Sequence, residues 1–174
     1  LTRDRWRGIN STISAFTQVA STLADVKVAV MQGREHLHSH RPAVFLINHQ
    51  SDMLDLFVCG SLLREDVTGM AKKEAASMPI LGQIVNYTQF ALVDRGDPAQ
   101  AREALAHAVG RIHEGISIVV APEGTRSASP SVGRFKKGGF HLAHQAEVPI
   151  IPIVIRNSGQ LMTPASRSVR SGVI

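Results

Sequence analysis

Short apolar runs, several of them β-branched, recur at 44–47, 67–71, 90–93, 116–121 and 150–155, with helical patterns between them. Runs of about four to eight such residues suit strands buried on both faces. A chain that alternates buried strands with helices has to cross over between parallel strands, because a helix is what carries it back to the starting edge. The expected fold class is therefore α/β, a single domain with a largely parallel sheet flanked by helices. One helix follows Ser51. A second spans 74–86, where Pro79 must start, bend or split it. A third opens at Asp97-Pro98, a cap residue followed by proline at the first helical position, and ends near Gly115.

Ahead of the alternation, Trp6, Ile9, Ile13, Phe16, Ala20 and Leu23 are spaced 3, 4, 3, 4 and 3 apart. They define one face of an N-terminal amphipathic helix. We expect this face to cover the core. The sharper alternative is a lipid-docking face, with Arg3, Arg5 and Arg7 meeting headgroups. Val26, Val28 and Val30 then alternate as in a short strand. This divides the chain into a helical segment, 1–25, and one domain, 26–174. The start at Leu1 rather than Met, and the stop soon after the last apolar run, suggest a piece of a longer chain.

A net charge of +5 suits nucleic acid, anionic lipid or a phosphorylated ligand. Aromatics are only 5%, which disfavours base stacking on single strands. The single cysteine, Cys59, excludes an internal disulfide framework and a multi-cysteine zinc site; its apolar neighbours Leu56, Phe57 and Val58 suggest a buried structural thiol. There is no signal-peptide pattern and no run of about 18 to 20 apolar residues, so membrane contact by this segment is expected to be peripheral.

Ligand sites in open α/β sheets lie beyond the carboxyl ends of strands. Asn48-His49-Gln50-Ser51 follows one apolar run, with Asp52 and Asp55 just behind. Ser51 can cap the next helix, which puts His49 in a strand-to-helix turn. A carboxylate one to two turns further on can fix the imidazole tautomer. Pro122-Glu123-Gly124-Thr125-Arg126-Ser127 follows another run: Gly124 allows a tight backbone, and Arg126 offers a planar fork for phosphate oxygens. Val93-Asp94-Arg95-Gly96 ends a third. Gly133-Arg134-Phe135-Lys136-Lys137-Gly138-Gly139 combines cations with glycines that let a ligand approach the backbone. Lys72 and Lys73 can add positive potential nearby. His36, His38 and His40 alternate but lie between Gly33 and Pro42, so a solvated loop is expected rather than a zinc or nickel site. No metal is expected.

These blocks, in this order, resemble those of the lysophospholipid acyltransferase family, which includes the bacterial 1-acyl-sn-glycerol-3-phosphate acyltransferases. The likeness runs from about Val26 to Ile155. Asn48-His49-Gln50-Ser51 with its Asp looks like the first block. Phe90-Ala91-Leu92-Val93-Asp94-Arg95 looks like the second. Pro122-Glu123-Gly124-Thr125-Arg126-Ser127 looks like the third, and Val148-Pro149-Ile150-Ile151-Pro152-Ile153 like the fourth. The resemblance implies transfer of an acyl group from acyl-CoA or an acyl carrier protein thioester to lysophosphatidic acid or a related lysophospholipid. The product would be phosphatidic acid, made at the cytoplasmic face of a membrane without a cofactor and without nucleic acid. It implies His49 as general base; Arg95, Arg126 and Lys137 as phosphate ligands; and Glu123, Gly124 and Thr125 on the acceptor, with Glu123 touching the glycerol or bracing Arg126. Backbone N–H groups near Ser51 are candidates for the oxyanion. Two rival readings are a relative acting on glycerol phosphate or a glycolipid, and a non-catalytic module binding anionic lipid or nucleic acid.

The chain departs from the family at one point. The family's Asp lies five residues after the His, where this chain has Leu54. Asp55 lies six residues on and Asp52 three. Each helical residue turns about 100°. Asp55 is therefore expected to serve His49 through one extra residue in the turn, with Asp52 as the alternative.

Overall fold

The computed structural model describes residues 3–39, 41–78, 81–94, 96–126, 131–163 and 168–174; side chains are described from residue 6, and those of Asp52 and Leu81 are left aside. Its core is a five-stranded sheet in the order β4-β3-β5-β2-β6, formed by β2 (Val44–Ile47), β3 (Val67–Lys72), β4 (Ala91–Val93), β5 (Ser117–Val120) and β6 (Ile150–Ile153). Every pairing in it is parallel. β2 is buried at all four positions, as a strand covered on both faces must be. A small parallel pair, β1 (Val26–Lys27) and β7 (Gly172–Val173), lies outside this sheet.

Crossovers are helical, as the alternation requires. α3 (Asp52–Leu62) starts at the Ser51 cap, whose hydroxyl accepts from Leu54 N. Over 74–86 the chain forms a 3₁₀ turn, Lys73–Ser77, and then α4 (Leu81–Tyr87); Pro79, where the sequence predicts a start, bend or split, lies outside the described residues. α5 (Pro98–His113) is capped by Asp97 and closes at Gly115, whose φ of 89° is left-handed. α5 and α6 (Gly138–Gln145) cover one sheet face, packing Ala108, Ile112 and Leu142 on Val44, Leu46 and Ile118. α3 covers the other face through Val58, Cys59 and Leu63, beside Ile47 and Phe45. Two one-turn helices, α2 (His36–Ser39) and α7 (Ser158–Leu161), complete the chain. α2 holds His36 and His38 exposed, on a short helix where the sequence suggested a solvated loop; His40 lies outside the described residues.

α1 (Arg3–Leu23) forms, but its buried face is not the apolar stripe. Trp6 and Ile9 are buried, whereas Phe16 is 47% and Leu23 85% exposed. The buried face turns instead through Asn10, Ser14, Thr17 and Ser21. The cause is the contact with α3. A Cβ on Gly60 would lie 2.8 Å from Thr17 Cγ2 and 3.1 Å from Ile13 Cγ2, so the helices touch too closely for bulky side chains. Asn10 joins this helix to the sheet by donating Nδ2 to Val67 O at 2.8 Å and accepting from Val67 N at 3.1 Å.

Candidate active site

The register of the sheet brings two turns together. β2 and β5 are neighbours, with Leu46 opposite Val120, so the segment after Ile47 and the segment after Val120 leave the same sheet edge side by side. In the first turn His49 Nδ1 lies 2.9 Å from Asp55 Oδ2. The same oxygen accepts from Gln50 N and Ser51 N, each at 2.9 Å. Asp55 is buried, while the His49 side chain keeps 21% of its surface. Three donors on one carboxylate oxygen hold it still, and the carboxylate in turn fixes the ring. The helix delivers Asp55 to this point because α3 begins right after Ser51, leaving His49 in the turn ahead of the cap. The Asp52 side chain lies outside the described residues. Gln50 N and Ser51 N face Asp55, so these two N–H groups are spent on the carboxylate instead of pointing toward an oxyanion.

The second turn reaches the first through Glu123, which is buried. Its Oε1 accepts from His49 N at 2.8 Å and its Oε2 from Gly133 N at 2.5 Å. Both oxygens thus hold backbone. Gly124 sits at a φ of 71°, as a tight turn requires. Thr125 and Arg126 are exposed, and both line the same cavity as His49. Lys137 is exposed at the start of α6. Arg95 lies outside the described residues; beside it, Asp94 Oδ1 accepts from Gly96 N and Oδ2 faces Lys73 Nζ at 3.7 Å.

The cavity has a volume of about 320 Å³. It is polar at the carboxyl ends of the strands, where His49, Lys72, Thr125 and Arg126 line it. Its remaining lining is mostly apolar and comes from several elements, with Ile13 of α1, Cys59 of α3, Val67 of β3, Val85 of α4 and Phe90 among the residues. The six residues of β3, Val67 to Lys72, span about 17 Å at strand rise. A mostly apolar cavity with an imidazole in its wall suits an apolar ligand with a polar reacting end. Within it the Cys59 thiol is pushed up to about 12 by burial and by the nearby Asp55, so it stays protonated.

A family model described as Acyltransferase matches residues 28–156. The chain belongs to the acyltransferase family. An uncharacterized acyltransferase of Schizosaccharomyces pombe is 38% identical over 92% of this chain and 58% of its own length. The 1-acyl-sn-glycerol-3-phosphate acyltransferase of Limnanthes alba is 37% identical over 72% of this chain and 44% of its own. The crystal structure of the 1-acyl-sn-glycerophosphate acyltransferase PlsC from Thermotoga maritima superposes with a TM-score of 0.77 at 27% identity, covering 99% of this chain and 69% of that one. The chain spans about half the length of the curated relatives it matches.

In this member of the acyltransferase family, two supports of the site escaped the sequence reading. Asn48 clamps β2 to the end of β6: its Nδ2 donates to Ile155 O at 2.8 Å and its Oδ1 accepts from Ile155 N at 2.6 Å. Its place beside His49 was the available signal, but the partner is 107 residues away. The second is the contribution of α1 to the cavity wall through Asn10 and Ile13. Ser117 is buried at the opposite end of β5, where its Oγ accepts from Ala43 N. Among the described residues no group of three or more His, Cys, Asp or Glu side chains is placed to hold a metal ion, and no helix is long and apolar enough to cross a membrane.

Proposed function

We propose that the protein transfers an acyl group from an acyl thioester, acyl-CoA or acyl carrier protein, to the free hydroxyl of lysophosphatidic acid or a related lysophospholipid, giving phosphatidic acid. The observation that carries this reading is the His49–Asp55 pair at 2.9 Å in the wall of a mostly apolar cavity. The names of the Limnanthes and Thermotoga relatives support the same substrate.

In this reading the acyl chain lies in the cavity with its thioester carbonyl near His49. His49 Nε2 takes the proton of the acceptor hydroxyl as that oxygen attacks the carbonyl carbon. The new C–O bond forms, the C–S bond breaks, and the proton on His49 passes to the departing thiolate. Asp55 keeps Nδ1 as the donor and stabilises the imidazolium. Arg126 and Lys137, with Arg95, hold the acceptor phosphate; Thr125 and Gly124 border it. Glu123 serves as a strut for the His49 backbone. No cofactor takes part. Residues 26–174 carry this chemistry, and the segment 1–25 contributes a wall of the cavity. Peripheral attachment at the cytoplasmic face of a membrane fits the substrate, and the exposed Phe16, Val19 and Leu23 of α1 support lipid contact there.

The test is release of acyl groups from a labelled thioester with and without a panel of acceptors. We expect release only when a lysophospholipid is present, and a loss of about 10² to 10⁴-fold in His49→Ala with the fold intact. Transfer by the folded variant within threefold of the parent would sink the assignment. Preference for glycerol phosphate or a glycolipid would move the substrate, and no acceptor-dependent release would leave a binding module.

A further inference from the structure

Residues 124–146 contain Arg126, Arg134, Lys136 and Lys137 and not one of the chain's 14 acidic residues. All four cations are exposed. Among them stand large apolar side chains that the fold leaves in water: Val132 at 52%, Phe135 at 47% and Phe140 at 39% exposure. The two phenyl rings lie 6.4 Å apart at 32°, forming one apolar knob flanked by cations. The knob is firmly mounted. Gly133 N donates to Glu123 Oε2, and Lys136 N donates to Pro122 O at 2.8 Å. A Cβ on Gly133 would lie 2.9 Å from Glu123 Oε2, and one on Gly139 2.9 Å from Leu46 Cδ2, so both glycines let this segment lie close against the end of the sheet.

We propose that this segment, Val132 to Phe140, is a docking surface for an anionic lipid bilayer. Exposed rings beside cations are costly in water but find their place at a headgroup layer, where the rings reach the acyl boundary and Arg134 and Lys136, which the acceptor phosphate does not engage, reach lipid phosphates. The cations fit an anionic headgroup layer and the rings fit the acyl boundary beneath it; an acidic protein partner is the alternative that the experiment separates. The link through Glu123 gives the surface its use. The carboxylate that holds Gly133 also holds His49 N, so a bilayer seated on the knob lies at a fixed offset from His49 and Arg126. This rests on the lysophospholipid reading above, because an acceptor anchored in a bilayer is what such an offset would serve.

The experiment compares the whole protein with the double variant V132S/F135S and with R134E. The readout is cosedimentation with phosphatidylcholine vesicles that contain or lack phosphatidylglycerol. Unchanged thermal midpoints certify the folds. We expect the parent to bind phosphatidylglycerol vesicles well and phosphatidylcholine vesicles weakly. Each variant should lose about tenfold or more of the anionic-vesicle affinity, as expected when a partly inserted ring or a surface cation is lost. Binding at parental strength by both variants would overturn the proposal and move lipid contact elsewhere, α1 included. So would unchanged vesicle binding together with loss of binding to an acidic acyl carrier protein, which would make the surface a protein site. Transfer to a short-chain acceptor dissolved as monomers reports on the underlying reading separately. If the parent transfers nothing there, the acyltransferase reading fails, while the vesicle data still decide this one.

Discussion

The imidazole of His49 meets Asp55 at one oxygen atom. Asp55 Oδ2 gathers the imidazole and two backbone N–H groups, while Oδ1 is buried with no hydrogen-bond partner among the described residues. Hydrogen bonds to a charged group are worth roughly 1.5 to 3 kcal/mol each, so the arrangement locks the turn as well as the ring. Asp55→Asn keeps the shape, yet removes the charge that supports an imidazolium. We expect it to lose most of the turnover with little change in KM for the acceptor, whereas Asp52→Asn keeps most of its turnover. Steady-state kinetics on both variants checks this. The opposite ranking would move the role to Asp52, and full activity in both would leave His49 without a carboxylate helper.

At the scale of elements, the contact of α1 with α3 decides where the cavity wall stands. Gly60 faces Thr17 at a distance no Cβ tolerates. In a solvated helix, Gly→Ala would stabilise by roughly 0.5–1 kcal/mol. Overpacking a close contact costs about 1–3 kcal/mol, so in this position it outweighs the helical gain. Gly60→Ala is therefore expected to destabilise the parent. In a Thr17→Ala background, where the overlapping methyl is gone, the same change is expected to become neutral or mildly stabilising. Urea midpoints of the four proteins close the cycle; equal effects of Gly60→Ala in both backgrounds would show that the contact is not the cause. The apolar stripe on α1 was readable in the sequence, but which of its neighbours faces inward was not. That choice depended on α3 presenting a glycine.

The whole molecule encloses one chemical reporter of its integrity, the thiol of Cys59. Burial and Asp55 push it up to about 12 from 9.0, which leaves about a thousandfold less thiolate near neutrality. Alkylation by iodoacetamide at pH 8 should therefore be at least about a hundredfold slower in the native protein than in urea. It should also speed up as the pH rises, since more of the thiol ionises. Mass spectrometry of the alkylated chain follows it. Equally fast labelling in both states would mean that the layer of α1 and α3 opens freely. The alternation of strands and helices, the caps at Ser51 and Asp97 and the reach of Asp55 back toward His49 were legible in the sequence, because periodicity, capping chemistry and helical rotation act within a few residues. The strut from Glu123 to the backbone of His49, the clamp of Asn48 on Ile155 and the rotation of α1 joined residues 74, 107 and some 40 positions apart. Only the tertiary structure decided those, because the order of strands in the sheet sets which ends become neighbours, and a buried polar atom takes whatever partner that neighbourhood supplies.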